Sequence, residues 1–113
     1  MNLSISYHFL DAQNAHCLEG SSVFDNCIDP EQLIAFIHDA NHVLVFAQLD
    51  GRVIAMASGA ILRHPDKKPS LYINEVGVDP DLQRKGIATK LCALLMDAAR
   101  EKGCHSAWLA TEA

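Results

Sequence analysis

Two long apolar runs, separated by Asp50 and Gly51, constrain the fold of this chain more than any other feature. The run HVLVFAQL at 42–49 is almost continuously apolar, which is typical of a strand buried on both faces. The run RVIAMASGAIL at 52–62 resumes directly after the Asp-Gly pair, and Asp-Gly between two such runs favours a tight turn. The pattern predicts an antiparallel hairpin at the centre of a covered sheet.

The residues before this hairpin predict one strand and two helices. LSISYHF at 3–9 is rich in strand formers, and 11–19 is a weak helix candidate with Asp11 as its cap. In DPEQLIAFIHDA, Asp29 is suited to the N-cap and Pro30 to the first helical position, while Gln32 completes a capping-box pattern. Four apolar residues then fall on one face, which we expect to cover one side of the sheet: Leu33, Phe36, Ile37 and Ala40.

The second half of the chain predicts a strand, a long helix and a final strand. LYINEVGV at 71–78 and HSAWLAT at 105–111 have strand patterns, and Trp108 is expected in the core. The helix between them runs from 86 to 102 and has an apolar face made of Ile87, Leu91, Leu94, Leu95 and Ala98. The fold class is therefore α+β, with element order β-α-α-β-β-β-α-β and a right-handed crossover between the last two, parallel strands.

Bulk properties narrow the function classes. A chain of 113 residues is enough for one domain, and a net charge of -5 argues against nucleic acid as a partner. The most apolar stretch, 43–47, is far shorter than the roughly 20 residues of a membrane helix. No Lys or Arg precedes Arg52, so no secretory leader is expected, and four cysteines without a C-x-x-C pair are expected to be reduced. We therefore expect no membrane partner and a cytoplasmic location.

The segment QRKGIAT at 83–89 joins a strand to the long helix. A helix N-terminus presents backbone N–H groups without internal acceptors and carries roughly half a positive charge, which together make an anion site. A glycine lets the backbone approach the anion closely, and Arg84 and Lys85 add positive charge. The alternative is that Gly86 only makes the turn and that the basic residues are a solvated rim.

The spacing within this segment resembles a known signature. Gln83-Arg84-Lys85-Gly86-Ile87-Ala88 fits the Q/R-x-x-G-x-G/A motif of the GNAT superfamily of N-acetyltransferases. The resemblance implies a GNAT-like mixed central sheet flanked by helices, and acetyl-CoA (coenzyme A) as the cofactor. It also implies that the turn holds the pyrophosphate and that a bulged fourth strand pairs with the pantetheine arm. The implied cofactor-binding residues are Val76, Gly77, Val78, Gln83, Arg84, Lys85, Gly86, Ile87, Ala88 and Thr89.

The resemblance also implies how acetyl transfer would occur. A backbone N–H near Val76 would polarise the thioester carbonyl, and Glu75 is the candidate general base, directly or through water. Strand alternation puts Ile73 and Glu75 on one face, although a bulge would disturb that count. The alternative is that Glu75 only faces solvent or pairs with a surface cation. No metal site is expected, because His38 and His42 are separated by a predicted helix end and a site needs more ligands.

A narrower resemblance concerns the acceptor. Tyr72-Ile73-x-Glu75-Val76-x-Val78, followed by the motif, is similar to aminoglycoside 3-N-acetyltransferases of type I. The implied function is transfer of acetyl to a primary amine of a small molecule, an aminoglycoside in particular, and hence antibiotic resistance. The alternatives are a catalytically inactive coenzyme A-binding remnant or assembly subunit, and acetylation of a peptide amine.

Members of this superfamily continue past their fifth strand with a helix and two further strands. Because this sequence stops at Ala113, we expect a single acetyltransferase-like domain, 1–113, that is truncated at its C-terminal end. That arrangement exposes a strand edge and an apolar sheet face, which favour association. A homodimer or higher homo-oligomer is therefore expected.

Overall fold

A computed structural model describes residues 4–109 of the chain. It contains one sheet whose five strands lie in chain order. Neighbouring strands are antiparallel, except that the last two are parallel. The strands are β1 (Ser6–Phe9), β2 (His42–Leu49), β3 (Arg52–Leu62), β4 (Ser70–Val78) and β5 (Ser106–Leu109), and the α-helices are α1 (Pro30–His38) and α2 (Ile87–Glu101).

The central hairpin is confirmed and is buried on both faces. Leu44 and Phe46 of β2 point to one side, where they pack in a cluster with Leu18 and with residues of α1. Val45 and Ala47 point to the other side and pack in a larger cluster against α2. We refer below to the α1 face and the α2 face of the sheet. Burial on both faces explains why the β2 sequence has almost no polar residues.

Helix α2 packs on its face through residues spaced four apart. Ile87, Leu91, Leu95 and Ala99 are buried and form a stripe along the helix. Leu94 and Ala98 are only partly buried. The prediction placed Ala98 on the buried face, whereas the buried residue at this end of the helix is Ala99. Because an α-helix has 3.6 residues per turn, residues four apart lie nearly above one another. Ala99, four residues after Leu95, therefore continues the buried stripe.

Helix α1 lies less deeply on the opposite face. Leu33 and Phe36 pack against the cluster around Phe46, but no residue of the helix is fully buried. The helix ends at His38, so Ala40, which the sequence pattern grouped with its apolar face, lies beyond it and is exposed.

The first predicted helix is wrong in extent. Only Ala15–Leu18 is helical, and it is a single 3₁₀ turn. The carboxylate of Asp11 accepts hydrogen bonds from the N–H groups of Gln13 and Asn14, so it closes a separate turn before the 3₁₀ segment. This local hydrogen bonding competes with a continuous helix.

Trp108 is not a core residue, contrary to the prediction from its strand pattern. It lies on β5 opposite Tyr72 of β4, and its side chain is 64% exposed. Within residues 4–109, no element covers this part of the α1 face. Of the predicted terminal strands, Leu3, Ala110 and Thr111 lie outside the described residues.

Candidate functional site

A bulge in β4 determines which face its side chains occupy. Ser58 of β3 pairs with Glu75, but the next residue, Gly59, pairs with Ile73. Asn74 is therefore the extra residue, and such a residue is left without a partner across the pair. Ile73 joins the core on the α2 face, whereas Glu75 lines a cleft with Ser58 on the α1 face. Strict alternation would put Ile73 and Glu75 on one face, and the bulge disturbs that count, as the alternative interpretation expected.

Beyond the bulge, one edge of β4 is free. Strand β5 pairs only with Ser70 to Ile73 within the described residues. The N–H of Asp79 donates to the Ile54 carbonyl oxygen on β3 at 2.8 Å. Since successive residues of a strand direct their backbone groups to alternate edges, those of Val78 and Val76 are directed to the free edge. This edge can accept an extended ligand as an additional strand.

The start of α2 lies beside this edge and has no side-chain cap. Gly86 is the N-cap, in the left-handed region at φ 80°, and the first intrahelical bond is from the Lys90 N–H to the Gly86 carbonyl at 3.1 Å. The N–H groups of Ile87, Ala88 and Thr89 therefore have no acceptor within the helix. Such groups, together with the helix dipole, favour a bound anion.

The turn before α2 is built so that its positive charges face solvent. Arg84 adopts φ 64°, and neither Arg84 nor Lys85 forms a salt bridge within residues 4–109. Asp79 closes the preceding 3₁₀ turn, and the hydrogen bond from the Asp81 N–H, aided by the Arg52 guanidinium at 2.9 Å, holds the pKa of the Asp79 carboxyl below its usual range. The Asp79 carboxylate is thus engaged by the Asp81 N–H and by Arg52.

Three clefts connect the helix start to the α1 face. The helix-start cleft, of about 340 Å³, lies between the N-terminal turn of α2 and the end of β4. The bulge cleft, of about 760 Å³, lies between β4, α2 and Leu109. The loop cleft, of about 290 Å³, lies between α1, the segment preceding it and β3.

These clefts share walls and so form one groove. Val76, Ala88 and Thr89 line both the helix-start cleft and the bulge cleft. Asp25 and Glu75 line both the bulge cleft and the loop cleft. A ligand can therefore extend from the amides of α2, along the free edge of β4, to Glu75.

Most of the cofactor residues implied by the sequence lie together along this groove. The helix-start cleft is lined by Val76, Val78, Gln83, Arg84, Gly86, Ile87, Ala88 and Thr89. The side-chain Nε2 of Gln83 lies 3.5 Å from the Val78 carbonyl oxygen, linking the turn to the strand. Gly77 lines the bulge cleft instead. Lys85 is exposed and lines none of the three clefts.

The groove residues that the sequence analysis did not assign to a site include Asp25, Asn74 and Cys92. Asp25 lies in an irregular segment, where no periodicity indicates which side chains face inward. Asn74 became notable only once the register of β3 and β4 was known. Cys92 is half-buried on α2, where burial raises the pKa of its thiol, and its sequence pattern indicated only packing.

Metal binding has no support in the described part of the chain. Among residues 4–109, no group of three or more His, Cys, Asp or Glu side chains is arranged to hold a metal ion. His38 ends α1 and His42 begins β2, where its Nε2 lies 3.6 Å from the Asp39 carboxylate.

Membrane crossing is a separate question. In residues 4–109, no helix has the length and apolar character needed to cross a bilayer.

The groove combines an anion site at a helix start with a free strand edge. The chain belongs to the acetyltransferase (GNAT) family, whose model matches residues 9–113. The sequence matches none of the curated proteins with which we compared it.

Solved structures agree on the fold. An aminoglycoside N-acetyltransferase AAC(6')-Iy in complex with CoA has a TM-score of 0.83 at 16% identity, over 99% of this chain and 80% of that chain. The aminoglycoside acetyltransferase meta-AAC0020 from an uncultured soil metagenomic sample, in complex with sisomicin, has a TM-score of 0.81 at 22% identity, over 96% and 78%. A ribosomal-protein-alanine N-acetyltransferase from Brucella melitensis biovar Abortus 2308 has a TM-score of 0.75 at 20% identity, over 94% and 79%.

These comparisons bear on three predictions. The α+β GNAT fold is confirmed by the family match and by the structures. The enzyme class, a GNAT-type N-acetyltransferase, is confirmed by family membership. Acetyl-CoA as the cofactor is confirmed at the level of the family, and two of the similar structures contain CoA or a CoA-based analogue.

Proposed function

We propose that this protein transfers the acetyl group of acetyl-CoA to a primary amine of a small, positively charged molecule, an aminoglycoside in particular. The observation that carries the proposal is the continuous groove, in which Val76, Ala88 and Thr89 belong to both of its first two clefts and Glu75 to the last two. The groove provides an anion site at one end and a carboxylate at the other.

The cofactor would bind along the first two clefts. The N–H groups of Ile87, Ala88 and Thr89 would donate hydrogen bonds to oxygens of the diphosphate, with Arg84 adding charge at the rim. The pantetheine arm would pair with the free edge at Val76 and Val78. The Val76 N–H would donate to the thioester carbonyl oxygen, and one such donor is worth about 2.7–4 kcal/mol in comparable oxyanion sites.

Glu75 would act on the acceptor. An ammonium has no free electron pair, so the amine must first lose a proton, which Glu75 can accept directly or through water. The neutral amine would then attack the thioester carbonyl carbon, the carbon–sulfur bond would break, and the second proton lost from the amine nitrogen would pass to the leaving thiolate to give coenzyme A. Glu75 is exposed on the groove and forms no salt bridge within residues 4–109, so its carboxylate is available.

The loop cleft supports a cationic acceptor. Its acidic residues are Asp25, Asp29 and Glu75, and the Asp29 carboxylate also caps α1. Phe24 and Phe36 supply apolar surface in the same cleft. A polycationic sugar fits this combination. The finer specificity, 3-N acetylation as in the type I enzymes, is part of the proposal, and mass spectrometry of the product would distinguish it from acetylation at another amine.

The direct test is release of free thiol from acetyl-CoA in the presence of an amine panel that includes aminoglycosides, simple amines and a peptide N-terminus. Glu75→Gln should lower kcat by roughly 10²-fold or more, because a general base contributes 10²–10⁴-fold, while the affinity for acetyl-CoA stays unchanged. Glu101→Gln, which removes an exposed carboxylate at the far end of α2, is the matched control. An equal kcat for the two variants would remove Glu75 from this role.

A second candidate function is coenzyme A binding without turnover, as a remnant or an assembly subunit. It is favoured by one observation: among residues 4–109, neither tyrosine lines the three clefts, so no phenol there can protonate the leaving thiolate. Tight binding of acetyl-CoA in calorimetry, with no thiol release for any amine of the panel, would support this candidate over the first.

We also propose that the protein forms a homodimer or higher homo-oligomer. The supporting feature is the set of large apolar side chains exposed on the α1 face around the last two strands: Leu62, Tyr72 and Trp108. Apolar groups grouped on an open sheet face favour association. Light scattering of the purified protein tests this, and a monomer at all concentrations would contradict it.

A further inference from the structure

Gly77 is in close contact with a segment that has no regular structure. Residues 21–28, which we call the 21–28 loop, lead from the 3₁₀ turn to α1. A Cβ atom built on Gly77 would overlap the Val23 carbonyl oxygen and would lie 3.4 Å from the Val23 carbonyl carbon. The loop backbone thus occupies the space that any side chain at position 77 would need.

The need for glycine here is steric and not conformational. Gly77 is absent from the residues with positive φ, so its backbone is one that any residue can adopt. It lies in the middle of the free-edge stretch of β4 and pairs with Met56 on the α1 face. The absence of a side chain is what lets the loop backbone rest on the strand.

This contact holds the loop where the groove turns onto the α1 face. Val23 lines the bulge cleft, Phe24 lines the loop cleft, and Asp25 lines both. The loop otherwise depends on the packing of Val23, Phe24 and Ile28 against the Phe46 cluster. A displacement of the loop at Val23 would therefore move Asp25 relative to Glu75.

Asp25 and Glu75 are the two acidic side chains that face both clefts. The two carboxylates require different protonation states of the amine that each contacts. The amine that reacts at Glu75 must be neutral when it attacks, whereas an ammonium beside Asp25 can keep its charge and form a charge-assisted hydrogen bond. Two carboxylates on one groove thus select for a molecule with at least two amines.

We propose that Gly77 is a positioning residue that seats the 21–28 loop, and that the seated loop holds Asp25 as the residue that selects polycationic over monocationic acceptors. The proposal deepens the acetyltransferase function and depends on it. Gly77 acts through Asp25 and not through the cofactor.

The test is a double-mutant cycle with two acceptors, kanamycin and 6-amino-6-deoxyglucose, which carries a single amine. Asp25→Asn should raise KM for kanamycin about tenfold, the equivalent of one charge-assisted contact, with little change in KM for the monoamine or for acetyl-CoA. Gly77→Ala should raise the ratio of the two acceptor KM values, kanamycin over monoamine, in the same direction. Because both act through one contact, the double variant should be no worse than the more impaired single variant.

Gly51→Ala is the control for general damage to the sheet. Gly51 has φ 76° in the β2–β3 turn, with open space around it, so the substitution strains the backbone away from the groove and should leave the ratio of the two KM values unchanged. If Gly77→Ala does not fold, Val23→Gly takes its place in the cycle, since it loosens the same contact from the loop side.

Three results can be distinguished. A selective loss of kanamycin that is not additive in the double variant supports the proposal. An unchanged ratio of KM values in Asp25→Asn, or additive losses in the cycle, overturns the proposal while leaving acetyl transfer intact. Absence of turnover by the unmodified protein with both amines overturns the proposed function itself, and this inference with it.

Discussion

The two helices of this protein begin in opposite ways. Helix α1 is closed by its own sequence: the Asp29 carboxylate accepts from the N–H groups of Glu31 and Gln32, at 3.0 and 3.3 Å, and Pro30 supplies no N–H at the first position. Helix α2 begins at Gly86, which has no side chain to act as a cap. The same structural problem, unsatisfied amides at a helix start, is solved internally in α1 and left unsolved in α2.

The difference shows how a helix start can keep its N–H groups open to a ligand. An Asp at the N-cap adds about 1 kcal/mol to helix stability, and α2 forgoes that contribution. Packing compensates, because α2 has four buried residues and α1 has none. The better-packed helix can keep its amides free for an external anion.

The largest expected effect comes from a substitution that obstructs the open start of α2. Gly86→Val puts a β-branched residue at φ 80°, where an L-residue costs roughly 1–2 kcal/mol, and adds a side chain to the wall of the helix-start cleft. We expect the Kd for acetyl-CoA to rise about tenfold or more, as measured by calorimetry.

The control for backbone strain is Gly20→Val. Gly20 has φ 76° and open space around a built Cβ, like Gly86, but it follows the 3₁₀ turn and lines none of the three clefts. A comparable loss of cofactor affinity in both variants would mean that strain, and not occupation of the anion site, explains the result.

The next largest effect is expected from removing the cap that closes the start of α1. Asp29→Ala removes the cap of α1 and should lower the free energy of unfolding by about 1 kcal/mol, as measured by urea denaturation. The Kd for acetyl-CoA should not change, because α1 lies on the opposite face from α2. Weaker cofactor binding in this variant would contradict the separation of the two helix starts.

The smallest effect sharpens the comparison by removing charge near the open start. Lys85→Gln should weaken acetyl-CoA binding about threefold, consistent with the 0.3–1 kcal/mol of an exposed charge at a helix end, and the difference should shrink at high salt. Lys67→Gln, in the exposed loop between β3 and β4, is the matched control. Equal losses in the two variants would indicate a general effect of net charge.

Patterns confined to one element predicted much of this fold. The β2–β3 hairpin follows from its apolar runs and Asp50-Gly51, and β3 has the predicted bounds, 52–62. The start of α1 follows from Asp29 and Pro30, whose roles depend only on the next few residues. The turn before α2 was likewise predictable from the sequence, because Gly86 and its neighbours belong to a contiguous motif.

Features that depend on pairing between elements were not predictable. The position of the bulge at Asn74 is set by the register of β4 against β3, and without that position alternation along the sequence could not place Glu75 on a face. Asp25 is part of the groove because a loop rests on Gly77, a contact between residues distant in sequence. Trp108 has the pattern of a buried strand residue, yet its exposure depends on what else covers the sheet.

The bulge has a consequence for how this strand can change by insertion or deletion. Removing Asn74 would leave Ile73 opposite Gly59 and Glu75 opposite Ser58, their present partners, so Glu75 would stay above the groove. Losing the bulge while keeping Asn74 would be different, because a slip of one residue turns every later position of β4 to the opposite side. Glu75 would then point into the apolar layer beneath α2. The unpaired state of Asn74, and not its presence, thus keeps a charge out of the core.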